Sequence, residues 1–567
     1  MTLTVISAGL LELMINRLFP SRNEPPKKRP ELNIEIASLM WPGERPKDKP
    51  TKPNRWQSDL GLSDLVQAMT YDNRYKAFIH ETLASLLTDT AVIQWRQAVL
   101  QDFMDNPELV TQLEKILPKL SSLSANNALF GNRRRSPLAQ TSERLAELEV
   151  YVESIEHIYG ALKAATLHSA ALLGLLKSLG AVVEDEDFQA LRQQLPELRR
   201  PLERITSLTI GINLDVQLRP VSAVLLNVND YKVGGTSSFL DRVIGPAQED
   251  TGENGVAPLN NLPKDPEMRP YDPLFQDLEK LMENVSKPVA QELARYTRLS
   301  SRPLVHLEFE IAYFISAIGL IHRLEAGGIP LSMPRVSAIT KREFIATNLR
   351  NIMLGVRQPQ HCVASEATFD HNGHIAILTG PNSGGKTTYL QAIGLAQAMF
   401  QAGLPIAAED AQMSPVSAIL THFPQLETRH QGRLAEEAER LRGIFKQVTT
   451  DSLVLLNETF SSTSAGEATY LAQDMLSGLR VIGARAIFAT HLIELADQIE
   501  DIHASIQGDS RLFSLVAGIE INADGEAVRT FQIKRGMPVG RSYAKEIAQR
   551  HGISLEQILA DYQQDEA

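Results

Sequence analysis

Through the first part of the chain hydrophobic positions recur every three or four residues. In residues 141–176, Leu145, Leu148, Val152, Ile155, Tyr159 and Leu162 keep this step, which puts them on one seam of a long helix packed against other helices. Residues 56–123 follow the same period, with Asp89 or Thr90 placed to cap a helix over residues 91–104. At Thr206 the pattern changes: residues 207–215 and 221–228 read as short strands about a turn at Arg219-Pro220. Residues 245–273, rich in Gly, Pro, Asn and Asp, predict a loop. Helix returns over residues 274–326, interrupted at Pro288 and Pro303, and Gly327, Gly328 and Pro330 stop it.

Further on, the apolar residues gather in short unbroken runs, as in strands buried on both faces. The run 374–378 is followed by Gly380, Pro381, Asn382, Ser383, Gly384, Gly385, Lys386 and Thr387, with the spacing G-x-x-x-x-G-K-[ST] of a phosphate-binding loop. Backbone N–H groups wrap a polyphosphate closely only where no Cβ intervenes, hence the glycines. Lys386 is placed to reach the β and γ phosphates, and the Thr387 hydroxyl to ligate Mg²⁺. Thr388 opens a helix over residues 388–401 whose positive N-terminal end faces the phosphates. The run 452–456 ends in Asn457-Glu458. Glu458 fits the glutamate that positions the attacking water; Asn457 stands where a metal-binding aspartate is expected, and a neutral amide holds the metal shell more weakly. The run 486–489 ends at Thr490-His491, from which His491 can contact the γ phosphate. Between these landmarks, residues 432–446 form an amphipathic helix. The hydroxyl-rich residues 459–466 open the next one, either as an ordinary loop or as part of a site shared by two subunits.

Length and charge narrow the picture. A chain of 567 residues is too long for one hydrophobic core, so two to four domains are expected. Its net charge of -12 argues against indiscriminate coating of nucleic acid, so any DNA contact must be regional. Two basic stretches, residues 21–55 and Asn132-Arg133-Arg134-Arg135-Ser136, fit either solvated chain or a phosphate contact. The single cysteine, Cys362, excludes an intrachain disulfide and a cysteine-rich zinc site and suits a reducing cytoplasm. Residues 5–20 are too short to span a bilayer and read as a docked amphipathic helix, so a soluble, cytoplasmic protein without a membrane is expected.

Taken in order, these segments resemble the MutS family of DNA mismatch repair ATPases. The resemblance is carried by TGPNSGGKTT, AGLPIAAEDAQMSPVSAIL (402–420), LVLLNETFSSTS, FATHLIEL (488–495) and GRSYAKEIAQRHGIS (540–554). It is strongest over residues 375–558 and fainter over 60–334. It implies an α/β C-terminal ABC-type P-loop ATPase domain, residues 336–530, preceded by a mainly α-helical core and lever region, residues 56–335. That region carries a reduced, clamp-like β insertion at about 206–273. An N-terminal helix and Pro/Lys-rich arm (1–55) and a C-terminal helical dimerisation segment (531–567) complete the layout, with Gly552 ending one helix and Ser554 capping the next.

By position, the resemblance makes Lys386 and Thr387 the ligands of phosphate and Mg²⁺, Glu458 the catalytic base of ATP hydrolysis and His491 the switch. Thr463 and Ser464 would approach the nucleotide of the other subunit in a homodimer. Two departures bear on rate and dimerisation. Asn457 replaces the family's aspartate, and Gly432-Arg433 occupy the place of a serine facing the other subunit's γ phosphate, where Arg433 can supply charge instead. Nothing before Trp56 matches a mismatch-reading domain and no nuclease-like tail follows, so a shortened paralogue is implied. Two functions are consistent with this set. One is an ATP-dependent clamp or sensor on mismatched, branched or duplex DNA, in mismatch repair or related DNA processing. The other is a nucleotide-switched scaffold that binds protein and no DNA. A transporter-type ATPase is disfavoured because no LSGGQ-like signature occurs.

Overall fold

A computed structural model describes residues 36–43, 54–129, 137–203, 207–218, 220–229, 287, 289–296, 301–424, 433–461, 463–521, 527–538, 554–555 and 557–558. The expected N-terminal helix, most of the basic arm, the 132–136 and 245–273 loops and Gly552 lie outside these residues. The chain divides into two compact units. One comprises Met1–Ile36, Lys115–Ala161 and Leu176–Glu308, and the other Ala37–Glu114, Leu162–Leu175 and Phe309–Ala567.

Helices α1 (Thr90–Asp105), α2 (Pro137–Ala164), α3 (Ala170–Glu184) and α4 (Glu186–Glu203) lie ahead of the β insertion. In the first unit the α2 seam is buried at Leu145, Leu148, Val152 and Ile155, and Tyr159 is half-buried. Tyr151 meets Phe188 of α4 edge-on with ring centroids 6.4 Å apart; such a pair adds about 0.5–1.5 kcal/mol beyond the area it buries. Strands β1 (Ser207–Leu214) and β2 (Pro220–Asn229) form the small insertion, an antiparallel hairpin.

The expected single helix over 141–176 is two. In the second unit the buried carboxylate of Asp102 accepts the N–H groups of His168 (3.0 Å) and Ser169 (2.7 Å), and the Asn106 side chain brackets Thr166. The chain between α2 and α3 therefore spends its amides on side chains rather than on a continuing helix, and Ser169 caps α3 by accepting from Leu172 N. Asp89 caps α1 through Ala91 N, as expected.

Pro303 starts a helix instead of interrupting one. It sits in the first turn of α5 (Arg302–Ala326), where a missing N–H leaves no intrahelical bond unmade. This helix is long and apolar enough to cross a membrane, but 67% of its most apolar window is buried in protein, so it is a core helix. Gly328 (φ 71°) ends it, with Ile329 N donating to Leu324 O at 2.9 Å.

Two sheets build the second unit. The smaller, in order β3-β7-β4-β5, contains β3 (Arg335–Val336), β4 (Phe344–Leu349), β5 (Ser365–Phe369) and β7 (Asp410–Met413). The larger runs β12-β11-β6-β10-β9-β8. Its members are β6 (Ile375–Thr379), β8 (Ala418–His422), β9 (Ser452–Asn457), β10 (Arg485–Thr490), β11 (Leu512–Ile521) and β12 (Ala527–Arg535). All neighbours are parallel except β12 on the edge. Every residue of β6, β9 and β10 is buried, the physical origin of the unbroken apolar runs. Helices α6 (Lys386–Gln401), α7 (Arg433–Phe445) and α8 (Ala465–Ile482) connect these strands. On α8, Ala472, Leu476 and Leu479 join Leu456 of β9 and Phe488 of β10 in one apolar core. Because β12 runs to Arg535, the first residues of the expected C-terminal helical segment 531–567 are strand. Near its end Ser554 accepts from Gln557 N, the capping contact expected there.

Candidate functional site

Register places the three strand ends together. In the middle of the parallel set, Ala489 of β10 lies opposite Leu378 of β6 on one side and Asn457 of β9 on the other. The loop after β6, Glu458 and His491 therefore emerge at one edge of the sheet, where parallel α/β sheets hold their ligands. Glu458 N donates to Ala489 O at 2.8 Å, which ties the second strand end to the third.

The 380–385 loop needs its glycines. Gly380 (φ 147°) and Gly385 (φ 94°) are in conformations that favour glycine, and a Cβ on Gly380 would come within 2.6 Å of the Ala517 methyl of β11. Gly385 then leads directly into α6, the helix whose N-terminus points into the loop. Lys386, only 4% exposed, folds back and donates to Gly380 O (3.0 Å) and Pro381 O (3.1 Å), with Glu458 Oε1 at 3.6 Å. Burial pushes its pKa down while the Glu458 carboxylate pushes it up. Beside it the Thr387 hydroxyl donates to Asn457 Oδ1 at 3.3 Å.

A cleft of about 510 Å³ opens over this loop. Ser383, Gly384, Gly385, Lys386, Thr387, Thr388 and Glu458 line it on the side of the loop. Leu349, Leu354, Val363, Phe531 and Ile533 add apolar lining, with Asn351, His361 and Ser365 among them. Pockets of this size suit a ligand with a charged and an apolar part. Gly380, Pro381 and Asn382 support the loop without lining the cleft, and Asn457 stands behind Thr387. His491 is solvent-exposed at its strand end and does not line the cleft. Thr463 and Ser464 lie elsewhere: Ser464 caps α8, its hydroxyl and Glu467 bonding reciprocally while Thr463 also donates to Glu467. The Arg433 side chain lies outside the described residues, although its backbone begins α7.

The apolar wall was not marked by any sequence motif. Phe531 lines the cleft next to Gly385 with φ 57°, a backbone state that a strand-like sequence does not announce. Divalent-metal donors here are the oxygens of Thr387, Asn457 and Glu458. No cluster of three or more His, Cys, Asp or Glu gathers among the described residues. A sparse oxygen set of this kind fits Mg²⁺, which keeps waters and takes phosphate oxygens as further ligands.

Two buried histidines give the unit a pH response. Burial pushes both His374 and His422 down to about 4. Below the unfolded value near 6.5 the unfolded chain takes up protons that the folded one refuses, so stability is complete above that pH and lost as pH falls toward 4. The expected loss is on the order of 1–3 kcal/mol per histidine. A urea midpoint that stays level between pH 7 and 5 would contradict it.

With this geometry in place, comparison with known proteins assigns the class. Residues 376–563 match the family model for MutS domain V, an ABC-like ATPase domain, and residues 88–327 match that for the MutS2 N-terminal domain. The chain is a MutS-family paralogue. Among its relatives, Endonuclease MutS2 of Lactococcus lactis subsp. cremoris (strain MG1363) is 26% identical over 436 residues, covering 74% of this chain and 49% of that protein. Endonuclease MutS2 of Streptococcus gordonii is 30% identical over 250 residues, or 42% of this chain and 30% of the relative. That of Thermus thermophilus is 33% identical over 197 residues, or 34% and 25%. The chain thus spans half or less of the length of these relatives.

Proposed function

We propose that this paralogue binds ATP with Mg²⁺ in the cleft above residues 383–388, hydrolyses it with water activated by Glu458, and uses the cycle to control contact with DNA. The observation that carries this reading is the convergence of the loop, the buried Lys386 ammonium and Glu458 on one cleft. The loop amides and the α6 N-terminus receive the polyphosphate, Lys386 neutralises it, and the apolar lining takes the base. Thr387 and Asn457 would hold the metal ion, which neutralises charge on the transferring phosphoryl group when bound. Two copies forming a homodimer, with Thr463, Ser464 and Arg433 facing the second nucleotide, complete the proposal. ATP can bias the assembly only by its difference in affinity for the two states.

The test is ATPase rate with mismatched, branched and duplex DNA added, paired with gel shifts across a salt series. A rate that responds to one DNA form, with a shift that weakens as salt rises, supports the reading. No shift at low salt removes DNA and leaves the protein-binding scaffold, which the net charge of -12 favours.

Two variants probe the metal shell and the apolar lining. Asn457→Asp should raise Mg²⁺-dependent turnover by placing a charged oxygen beside Thr387; an unchanged or lower rate would mean that the amide is not the limiting defect. Phe531→Ala should weaken ATP about tenfold and inorganic triphosphate much less, because the ring lines the cleft with apolar surface and offers phosphate no hydrogen bond. Equal losses for both ligands would move the base elsewhere.

A further inference from the structure

We infer that Glu437 of α7 is a positioning residue for Glu458, so that the placement of α7 governs hydrolysis. The inference rests on the nucleotide reading above. It starts from the turn that follows β9, where Glu458 (φ 48°) and Phe460 (φ 68°) are both non-glycine residues in the left-handed region. Such a backbone persists only where its surroundings over-determine it. On one side Glu458 N is held by Ala489 O. On the other side Glu437 Oε1, on a side chain only 9% exposed, accepts the N–H of Phe460 at 2.8 Å.

Thr459 lies between these two anchors, and it too is held. It is 2% exposed and shares a hydrogen bond with Nδ1 of His422, at the end of β8, at 3.1 Å. The other ring nitrogen of His422 lies 3.9 Å from Glu437 Oε1 and finds no hydrogen-bond partner among the described residues. Burial keeps this imidazole neutral, so the cluster is a set of directional hydrogen bonds and not an ion pair. The carboxylate of Glu437 thus stands between Phe460 N and His422 Nε2, bonded to the first and one small adjustment from the second. A shift of α7 that withdrew this carboxylate from Phe460 N would release the turn that aims Glu458. A catalytic group displaced by about 1 Å costs about 10²-fold in rate.

The experiment uses the full chain with Mg²⁺ and ATP, reading the single-turnover hydrolysis rate and the nucleotide Kd separately. Glu437→Ala should slow hydrolysis about 100-fold with Kd within about threefold. Glu437→Gln should recover most of that loss, since its amide oxygen still accepts from Phe460 N. The inference is overturned if Glu437→Ala hydrolyses at the wild-type rate, if Gln is as slow as Ala, or if rate and affinity fall together with the folded fraction. Should Glu437→Ala fail to fold, Glu437→Asp, which keeps the charge but withdraws the acceptor by one methylene, must give the same split. Glu458→Gln run in parallel separates the two failures. Turnover insensitive to Glu458→Gln sinks the nucleotide reading itself, whereas turnover that needs Glu458 and ignores Glu437 sinks only this inference.

Discussion

Lys386→Ala should weaken ATP binding about 100-fold, roughly 3 kcal/mol, the scale of a lost hydrogen-bonded charge contact. The ammonium is buried, yet in this structure it faces only two carbonyl oxygens and one carboxylate at 3.6 Å. Burial pushes its pKa down because the positive charge is poorly compensated, and a polyphosphate supplies the compensation. Alanine removes the charge without stranding another buried cation, so the fold should persist and the loss should appear in Kd. Calorimetric titration with Mg²⁺ and ATP measures it, with the thermal midpoint as control. An unchanged Kd would place the nucleotide somewhere other than this cleft.

The parts of the site that were legible in the sequence are those whose chemistry forces residue identity. Gly380 and Gly385 are required by backbone conformation and Gly380 also by the Ala517 methyl against it, and β6, β9 and β10 are apolar because both faces are covered. Other features depend on contacts distant in sequence. The break between α2 and α3 is made by Asp102 and Asn106, some sixty residues earlier, whose side chains take amides that local periodicity assigned to a continuous helix. Gln401 reads as a polar helix residue, yet it is 1% exposed because its amide donates to Leu87 O and Val416 O. Phe531 reaches the cleft through a left-handed backbone and the fold-back of β12, neither of which has a residue signature. The same limit explains Thr463 and Ser464: both hydroxyls donate to Glu467 and Ser464 caps α8, which accounts for their residue types, and a role across an interface adds nothing that a single chain displays.

Glu458→Gln should separate binding from chemistry. The substitution is isosteric, so the Glu458 N to Ala489 O bond and the left-handed turn are kept. What is lost is the capacity to take a proton from water, a contribution of typically 10²- to 10⁴-fold in rate. Affinity should hold or rise, because the carboxylate now 3.6 Å from Lys386 Nζ competes with phosphate for the same ammonium. Hence the expected result is a variant that retains ATP for many wild-type turnovers, seen as a slow single-turnover rate with an undiminished Kd. This outcome also fixes the meaning of Asn457. If Glu458→Gln stops hydrolysis while Asn457→Asp speeds it, the neutral amide beside Thr387 limits the rate through the metal shell and the glutamate is the base. If Glu458→Gln leaves turnover intact, water is activated by another group, and the convergence of the three strand ends has a different purpose.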